Sequence, residues 1–299
     1  GIYEAIARAR TRRLYDLVWN SGSAHAPFHA RNVRLIVSLG VPVPGSVTDA
    51  AAAISGADDG KFLAGGQTLL AVMKLGLAAP SDLVDLGGIA DLKGIQVKGG
   101  AVTIGAMTTH AEVNSSADVQ GAIPALASLA SVIGDRQVRN SGTLGGSLAN
   151  NDPAADYPAA ILALGATITT DKRQIAADDF IVGLFETALE EGEMITSVSF
   201  PQPSKAAYKK FKQPASRFAL VGVFVAQTPD GVRVAVTGAS SHAHRAEVLE
   251  EALGNDFSPS ALDSVTISAD GLNSDIHASA EYRANLVKVM AIRAVEACG

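Results

Sequence analysis

Short apolar runs that alternate with glycine and polar turns begin at about residue 44 and continue to the end of the chain. The first runs have helical spacing over residues 48–55 and 69–77 and strand-like character over residues 61–64 and 82–86. Strands that alternate with helices in this way are typical of βα units. We therefore predict an α/β region at the start of the patterned chain.

The middle of the chain continues with both kinds of element. Gly99 and Gly100 separate two strand-like runs, which predicts a hairpin of residues 94–97 and 101–104. The other apolar runs of this region predict helices over residues 109–114, 122–133 and 158–164 and strands over residues 166–169 and 194–200.

The pattern changes after Pro201-Gln-Pro203, which we interpret as a linker. Three later runs alternate apolar and polar positions, and Pro229-Asp-Gly231 supplies a turn between two of them. This predicts a three-stranded antiparallel sheet followed by helices. The strands are expected over residues 206–211, 219–228 and 232–237, and the helices over residues 245–253, 259–265 and 282–297.

Residues 1–40 differ from the rest in charge, with six arginines, no lysine and two acidic residues. Apolar positions between Ile2 and Trp19 are spaced as in an amphipathic helix. Two interpretations stay open for this segment. It is either a poorly ordered extension or a helix that docks on a partner.

Two glycine-rich segments carry the clearest chemical signal. They read Phe62-Leu-Ala-Gly-Gly-Gln-Thr-Leu69 and Asn140-Ser-Gly-Thr-Leu-Gly-Gly-Ser-Leu-Ala-Asn-Asn-Asp152. Each follows a strand-like run and precedes a helix, so bare backbone N–H groups could approach an anion from both sides, as a diphosphate requires. One such pair alone is more often a simple turn. Neither contains G-x-G-x-x-G or G-K-[ST], which disfavours an ordinary NAD domain or NTPase.

The motifs in these segments resemble the FAD-binding medium subunit of molybdenum hydroxylases. The similarity is greatest to the aerobic carbon monoxide dehydrogenase group and more distant to the xanthine dehydrogenase flavin domain. It extends from about Pro44 to the end of the chain. The matching motifs are Ala64-Gly-Gly-Gln-Thr68, Thr143-Leu-Gly-Gly-Ser147, Asn151-Asp-Pro-Ala-Ala-Asp-Tyr-Pro158, Gly105-Ala-Met-Thr-Thr-His110, Pro214-Ala-Ser-Arg-Phe-Ala219 and Ser279-Ala-Glu-Tyr-Arg283.

The resemblance implies an α+β fold in three parts. Residues 1–40 would be an extension outside the family. Residues 41–203 would form a PCMH-type FAD-binding domain of two α/β subdomains. Residues 204–299 would form the C-terminal domain of a three-stranded antiparallel sheet with helices.

The resemblance also implies a site for non-covalently bound FAD. Asp156 would contact the flavin, although Asp152 or Asp156 could equally cap a helix. Lys212 matches a lysine placed near the flavin in the xanthine dehydrogenase relatives, although from the residues alone it would be a solvated strand residue. Tyr208 could stack on the ring system or pack in the sheet, and His110 could lie near the cofactor or be structural. The expected contacts are Leu63, Ala64, Gly65, Gly66, Gln67, Thr68, Leu69, Ala106, Thr143, Gly145, Gly146, Ser147, Asp156, Ile195, Tyr208 and Lys212.

A subunit of this kind would relay electrons and would carry no catalytic residue of its own. It would accept them from [2Fe–2S] centres of a small iron–sulfur subunit and pass them to an external acceptor such as a quinone. The substrate would react at the molybdenum cofactor of a large subunit, in a dimer of heterotrimers. Carbon monoxide is the first substrate expected; a purine, an aldehyde or an N-heterocycle is the alternative. A free-standing FAD oxidase and a nonenzymatic nucleotide-binding protein are alternatives of other classes.

Composition narrows these expectations further. Cys298 is the only cysteine, so this chain cannot ligate an iron–sulfur cluster by itself. His242 and His244 are too few for a metal site, and we expect none. The net charge of −6 without a basic block after residue 40 argues against nucleic-acid binding. Without a bilayer-length apolar run or a signal-like N-terminus, we expect a cytoplasmic protein, either free or at the inner membrane face through its acceptor.

Overall fold

The computed structural model of the protein describes residues 34–35 and 44–298. The predicted helix at residues 2–19, and all of the 1–40 extension except Arg34 and Leu35, lie outside the described residues. The strands are β1 (Arg34–Leu35), β2 (Gly60–Leu63), β3 (Asp82–Asp85), β4 (Ile95–Lys98), β5 (Ala101–Gly105), β6 (Thr167–Thr170), β7 (Gln174–Ala176), β8 (Ile181–Gly183), β9 (Glu186–Thr187), β10 (Ile195–Pro201), β11 (Lys205–Lys212), β12 (Ala219–Thr228), β13 (Gly231–Thr237) and β14 (His244–Arg245).

The helices connect and cover these strands. They are α1 (Val47–Ser55), α2 (Leu69–Lys74), α3 (His110–Ser115), α4 (Ala117–Ala122), α5 (Pro124–Ser131), α6 (Arg136–Ser141), α7 (Leu144–Asn150), α8 (Tyr157–Leu164), α9 (Ala177–Phe180), α10 (Glu247–Asn255) and α11 (Ala280–Ala297), with short 3₁₀ turns at Leu86–Gly88, Ala90–Leu92 and Pro259–Leu262. Among the described helices, none is long and apolar enough to cross a membrane.

The first sheet is small and parallel, in the order β1-β3-β2. Its strand β2 ends at Leu63, one residue before the first glycine segment. Beneath it, Ile54 of α1 packs in one apolar cluster with Val84, Met107 and Met194. The end of β2 is therefore anchored to the core, and the glycine segment that follows starts from a fixed point.

The second sheet is antiparallel, in the order β4-β5-β10-β6-β7. The helix α8 is buried along its whole length, because its sequence YPAAILAL is apolar on every side. It packs between the second sheet and the C-terminal sheet, in contact with β10, β12 and β13. Tyr157, Ile161, Phe200 and Phe224 belong to the large core cluster that joins these layers.

The C-terminal sheet has the predicted antiparallel strands β11, β12 and β13 and a fourth strand, β14, of two residues. Eight consecutive residues of β12, from Ala219 to Ala226, are buried, because β12 is central and covered on both faces. The helices α10 and α11 cover one face, and α8 and α5 approach the other.

Three predicted helices differ in extent from the observed ones. The helix expected over residues 122–133 is α5, and it starts two residues later than expected because Pro124, which has no N–H, takes its first position while Ala122 ends α4. The helix expected over residues 69–77 ends at Lys74, and Gly76 adopts a left-handed conformation at φ 71°. The segment expected over residues 259–265 is only a 3₁₀ turn.

A hydrogen-bonded seam joins the C-terminal sheet to the segment before α8. The Thr237 hydroxyl donates to the carbonyls of Pro153 and Ala155 at 2.9 and 2.6 Å. The Gly238 N–H donates to Pro153 at 2.8 Å, and the Ala219 N–H donates to Ala154 at 3.3 Å. The C-terminal domain thus fixes the backbone that leads to Asp156.

Candidate functional site

A cavity of about 560 Å³ lies between the two glycine segments. This volume is within the usual range for a cofactor or small-molecule site. The structure places thirteen of the sixteen expected contact residues on its wall: Ala64, Gly65, Gly66, Gln67, Thr68, Leu69, Ala106, Thr143, Gly145, Gly146, Ser147, Asp156 and Ile195.

The two glycine segments touch each other directly. A Cβ atom on Gly65 would overlap the carbonyl oxygen of Ser141, which lies at the start of the second segment. A Cβ atom on Gly145 would stand 2.6 Å from the Cβ atom of Ala106. Glycine is therefore required at both positions by close approach of the backbone. Gly66 turns the chain with φ at 72°, which explains the second glycine of the first pair.

The backbone N–H groups of the two segments differ in availability. The N–H groups of residues 65–69 have no acceptor within the part of the chain that the structure describes. In the second segment, the N–H groups of Leu144 and Gly145 donate to carbonyls of the β5–α3 connection, and that of Gly146 donates to Thr143 Oγ1. The first segment therefore offers more unused donors than the second, a difference the sequence did not predict.

Thr143 explains why the second segment uses its own donors. It is the N-cap of α7, and its hydroxyl accepts the Gly146 N–H at 3.1 Å. Its carbonyl accepts the Ser147 N–H at 3.0 Å. The second segment therefore lines the cavity with the Thr143 and Ser147 side chains and with the backbone of Gly145 and Gly146.

Asp156 lies on the cavity wall and is almost fully buried. Its Oδ1 accepts a short hydrogen bond of 2.5 Å from the Tyr208 hydroxyl, and its Oδ2 accepts one of 2.9 Å from Lys210 Nζ. Burial raises the pKa of Asp156, while the Lys210 ammonium and the Tyr208 hydroxyl oppose that rise. The carboxylate is thus held from the C-terminal sheet rather than by a helix cap, since it makes no side-chain cap bond to α8.

Three expected contacts lie off the cavity wall. Leu63 is in the core below the first segment, and Tyr208 lies behind Asp156, where its ring packs against Phe224. Lys212 is exposed at the end of β11, past an irregularity in the pairing with β12. Their direct contact with a cofactor stays a prediction.

The structure brings other residues to the site that the sequence did not select. Lys210 is buried beside Asp156, and the signal for it was its position two residues after Tyr208, which puts both on one face of the strand. Arg217 and Phe218 line the rim, where Arg217 has an uncommon φ of 64° and donates to the Gly134 carbonyl at 3.3 Å. They lie in a stretch that matched the family but showed no chemical pattern of its own.

His110 is a buried wall residue with an unused nitrogen. Its side chain is 4% exposed, and its Nδ1 has no hydrogen-bond partner within the described residues. Its ring centroid lies 5.4 Å from that of Tyr157. Burial, and secondarily the charge of Arg139, lower the pKa of His110 to about 4, so its imidazole is neutral at physiological pH.

Glu193 also lines the cavity, and its carboxylate belongs to a hydrogen-bonded network with Arg173 and Thr170. Arg173 donates to both of its carboxylate oxygens at 3.0 Å, and the Thr170 hydroxyl donates to Oε1 at 2.7 Å. The Glu190 N–H adds a bond of 2.8 Å to Oε2. The hydrogen bonds from Arg173 are the main reason that the pKa of Glu193 is lowered to about 2. This residue stabilises the wall rather than offering an acceptor to a ligand.

Replacing Glu193 by glutamine should reduce the free energy of unfolding at pH 7 by about 2 kcal/mol. This is less than the full pKa difference would give, because solvent screens the half-exposed Arg173. A folded-state pKa below the usual value of 4.5 stabilises the protein above that pH, and the contribution is lost as the pH falls towards 2. Urea unfolding should therefore show the gap between wild type and Glu193→Gln narrowing below pH 4.5. The exposed neighbour Glu191 is the control, and an equal loss in Glu191→Gln would contradict the assignment.

The described residues contain no group of three or more His, Cys, Asp or Glu side chains arranged to hold a metal ion. His244 Nδ1 instead forms a hydrogen bond of 2.9 Å with the Ser240 hydroxyl. Burial lowers the pKa of His244. These histidines are part of the turn before α10.

The cavity fits a flavin dinucleotide. Its wall combines the unused N–H groups of residues 65–69, which can donate to a diphosphate, with Gly145 and Gly146 of the second segment. The unpaired His110 Nδ1 and the Asp156 carboxylate add polar groups to an otherwise largely apolar wall. Few convergent polar groups in an apolar cavity are typical of cofactor sites.

Comparisons with known proteins agree with this site. The family model described as "FAD binding domain in molybdopterin dehydrogenase" matches residues 37–203, and "CO dehydrogenase flavoprotein C-terminal domain" matches residues 206–298. A model described as "TraC protein" matches residues 1–59 and overlaps the first match at residues 37–59. The two flavoprotein models together cover most of the chain.

Similar proteins come from several molybdenum enzymes. The nicotine 6-hydroxylase medium subunit of Paenarthrobacter nicotinovorans is 37% identical over 86% of this chain and 95% of its own. The carbon monoxide dehydrogenase medium chain of Hydrogenophaga pseudoflava is 35% identical over 85% of this chain and 94% of its own.

Solved structures share the fold. Carbon monoxide dehydrogenase from Hydrogenophaga pseudoflava, in a form lacking the Mo-pyranopterin moiety, matches with a TM-score of 0.78 and 33% identity, over 89% of this chain and 96% of that chain. Quinoline 2-oxidoreductase from Pseudomonas putida 86 matches with a TM-score of 0.79 and 29% identity, over 91% of this chain and 98% of that chain. The predicted fold class and family are thereby confirmed, and the chain belongs to the FAD-binding flavoprotein subunits of the molybdenum hydroxylases, which are oxidoreductases.

Proposed function

We propose that this chain is the electron-relay subunit of a molybdenum hydroxylase of the aerobic carbon monoxide dehydrogenase type. It would receive electrons from [2Fe–2S] centres of a small subunit and deliver them to an external acceptor such as a quinone. The observation that carries this proposal is a cofactor-sized cavity whose first glycine segment has unused N–H groups. When bound, FAD supplies the chemistry that links one-electron carriers to a two-electron acceptor.

The residues of this chain would bind and orient the cofactor. The N–H groups of residues 65–69 donate to diphosphate oxygens, which needs no buried counter-charge. Asp156 accepts from a hydroxyl or N–H group of the cofactor. Leu86, Met107 and Ile195 contribute an apolar wall that keeps water away from it. Among the described wall residues, no serine or threonine hydroxyl is hydrogen-bonded to His110 or to a wall carboxylate, which supports a relay over a free-standing oxidase.

Partners are part of the proposal. Cys298 is the only cysteine, so iron–sulfur ligands must come from another chain. The relatives are described as medium subunits or medium chains, which supports assembly with a small and a large subunit. We propose a dimer of such heterotrimers in the cytoplasm, free or at the inner membrane face.

Flavin binding is tested on the purified chain. One FAD per chain should be released into the supernatant by acid precipitation, because the site offers hydrogen bonds but no covalent link. Reversed-phase chromatography of the supernatant identifies the flavin. FMN, or no flavin after reconstitution, would contradict the proposal.

Substrate choice is tested on the co-purified complex. Carbon monoxide should bleach the flavin of the complex but leave the isolated chain unchanged, because hydroxylation needs a metal-activated oxygen and the described residues contain no cluster of His, Cys, Asp or Glu side chains to hold the metal. A second candidate is hydroxylation of an N-heterocycle, which the 37% identity to the nicotine 6-hydroxylase subunit and the likeness to quinoline 2-oxidoreductase favour. Bleaching by a pyridine or quinoline and not by carbon monoxide would select this candidate. If carbon monoxide, a pyridine or a quinoline bleached the flavin of the isolated chain, the proposed electron-relay role would be overturned.

A further inference from the structure

We propose that Lys210 is a positioning residue of the flavin site, which keeps the Asp156 carboxylate ionised and oriented at the cavity wall. The inference rests on the proposed function, in which Asp156 contacts FAD. It adds that the C-terminal domain, through β11, sets the affinity of a cofactor that is bound in the preceding domain.

Lys210 and Asp156 form a buried ion pair. Lys210 Nζ lies 2.9 Å from Asp156 Oδ2, and each side chain is 4% exposed. Lys210 Nζ also donates to the Val132 carbonyl at 3.3 Å, so two acceptors fix the ammonium. The Tyr208 hydroxyl occupies Oδ1. Both donors come from the same face of β11, two residues apart, which fixes the rotation of the carboxylate.

Ionisation of Asp156 depends on this pair. A carboxylate removed from water becomes neutral unless a charge or hydrogen bonds compensate its burial. Lys210 is the cation that contacts it. Tyr208 and Tyr157 lie beside Asp156, and burial raises the pKa of both. The other titratable groups of the cavity wall are Lys61, His110, Asp152, Glu193 and Arg217. His110 is neutral at physiological pH, Lys61 pairs with Asp59, and Arg217 donates to the Gly134 carbonyl, so among the described residues Lys210 is the cation that pairs with Asp156.

Both oxygens of Asp156 retain acceptor capacity. An ionised carboxylate has about four lone-pair positions, and Tyr208 and Lys210 occupy two of them. The remaining positions are available to a hydroxyl or N–H donor in the cavity. A neutral carboxyl group would lose acceptor capacity and could turn away from the cofactor.

The test measures FAD dissociation constants of the full-length apoprotein by flavin fluorescence between pH 6 and 9. Lys210→Met should weaken binding about tenfold or more at pH 7, because the pKa of Asp156 rises further once its cation is gone. The affinity should then increase as the pH rises and Asp156 ionises. Wild type should show a weaker dependence over this range, because Lys210 opposes the rise in the pKa of Asp156.

Lys209 provides the matched control. It is the adjacent lysine on the opposite face of β11, half-buried and without an ion pair to Asp156. Lys209→Met should bind FAD like wild type at every pH. Lys210→Gln keeps a hydrogen-bond donor without the charge and should reproduce the pH dependence of Lys210→Met, which provides a second variant should methionine prevent folding.

The double variant Asp156→Asn/Lys210→Met tests whether Lys210 acts through the charge of Asp156 or only supports the fold. It removes both charges, so its FAD affinity should be independent of pH. If Lys210→Met lost the same FAD affinity at every pH, Lys210 would have a structural role only, and the inference would be overturned. Unchanged affinity in Asp156→Asn would overturn it together with the Asp156 contact, whereas a wild-type chain that binds no FAD would overturn the proposed function itself.

Discussion

Replacing Gly65 by alanine should weaken FAD binding by at least about a hundredfold, equivalent to about 2.7 kcal/mol. The added methyl group would overlap the carbonyl oxygen of Ser141, and it would stand within 3 Å of Gly142 Cα. Backbone atoms cannot swing away as a flexible side chain does, so the two glycine segments must separate. That separation moves the N–H groups of residues 65–69 away from the second segment, and the cavity between them changes shape.

The measurement is the FAD content of purified protein, followed by titration of the apoprotein with FAD. Gly121 is the control, because it lies in α4 and a Cβ atom there meets nothing within 4 Å. Gly121→Ala should bind FAD like wild type and be slightly more stable, since alanine favours a helix by about 0.5–1 kcal/mol relative to glycine. Gly146 is less informative, because a Cβ atom there would meet Thr143 Oγ1 at 2.9 Å and Ala64 Cβ at 3.3 Å. Equal affinity in Gly65→Ala and Gly121→Ala would show that contact between the segments does not support the site.

Replacing Arg283 by methionine should lower the free energy of unfolding by about 3 kcal/mol. The guanidinium is almost fully buried, and its Nη1 donates to the carbonyls of Leu220 and Gly238 at 2.8 and 2.9 Å. Its Nη2 donates to Asp275 at 2.7 Å. Methionine keeps an apolar stem of similar length but leaves both carbonyls without this donor, and the loss of a charged donor to buried groups is costly.

Arg293 is the control for this substitution, because it is exposed on the same helix α11. Arg293→Met should change the stability by less than about 0.5 kcal/mol. Denaturant unfolding followed by circular dichroism measures both variants. Losses of the same size in the two variants would mean that helix charge, rather than the buried hydrogen bonds, accounts for the effect.

The position of Arg283 also explains why its family motif lies far from the cavity. Leu220 and Gly238 adjoin Ala219 and the end of β13, which hold the backbone of Pro153 and Ala154. The C-terminal helix therefore braces the same seam that leads to Asp156. Residues near the end of the chain support the site through this seam without touching the cavity.

The sequence predicted a large part of the fold from local pattern alone. The extents of β2, β3, β12 and β13 follow the apolar runs within one or two residues, because strand ends coincide with glycine, proline or aspartate turns. The two glycine segments and their family resemblance led to the FAD-binding fold, which the comparisons confirmed. A predicted boundary was wrong at Pro124, which has no N–H and begins α5 two residues after the expected start.

Motif and spacing in the sequence also predicted thirteen residues that line the cavity. They could do so because each glycine segment is a short local motif. The strand expected before the second segment is wrong, because the helix α6 precedes it and residues 144–150 of the segment form α7. The contacts of these wall residues with the cofactor stay predictions. The family motif predicted Lys212 as the lysine near the flavin. The lysine that contacts Asp156 is instead Lys210, because the pairing of β11 with β12 determines which lysine faces α8.

The sequence by itself therefore determined the family, the cofactor class and the order of strand, turn and helix around the first glycine segment. Only the tertiary structure decided which donors remain unused, because the N–H groups of Leu144 and Gly145 donate to the carbonyls of Thr108 and Ala106, which are distant in sequence. It also decided that Asp156 is an ion-pair partner, since Lys210 is 54 residues away in sequence. Hydrogen bonds and charges act over a few ångströms in space, so long-range packing determines them and periodicity along the chain does not.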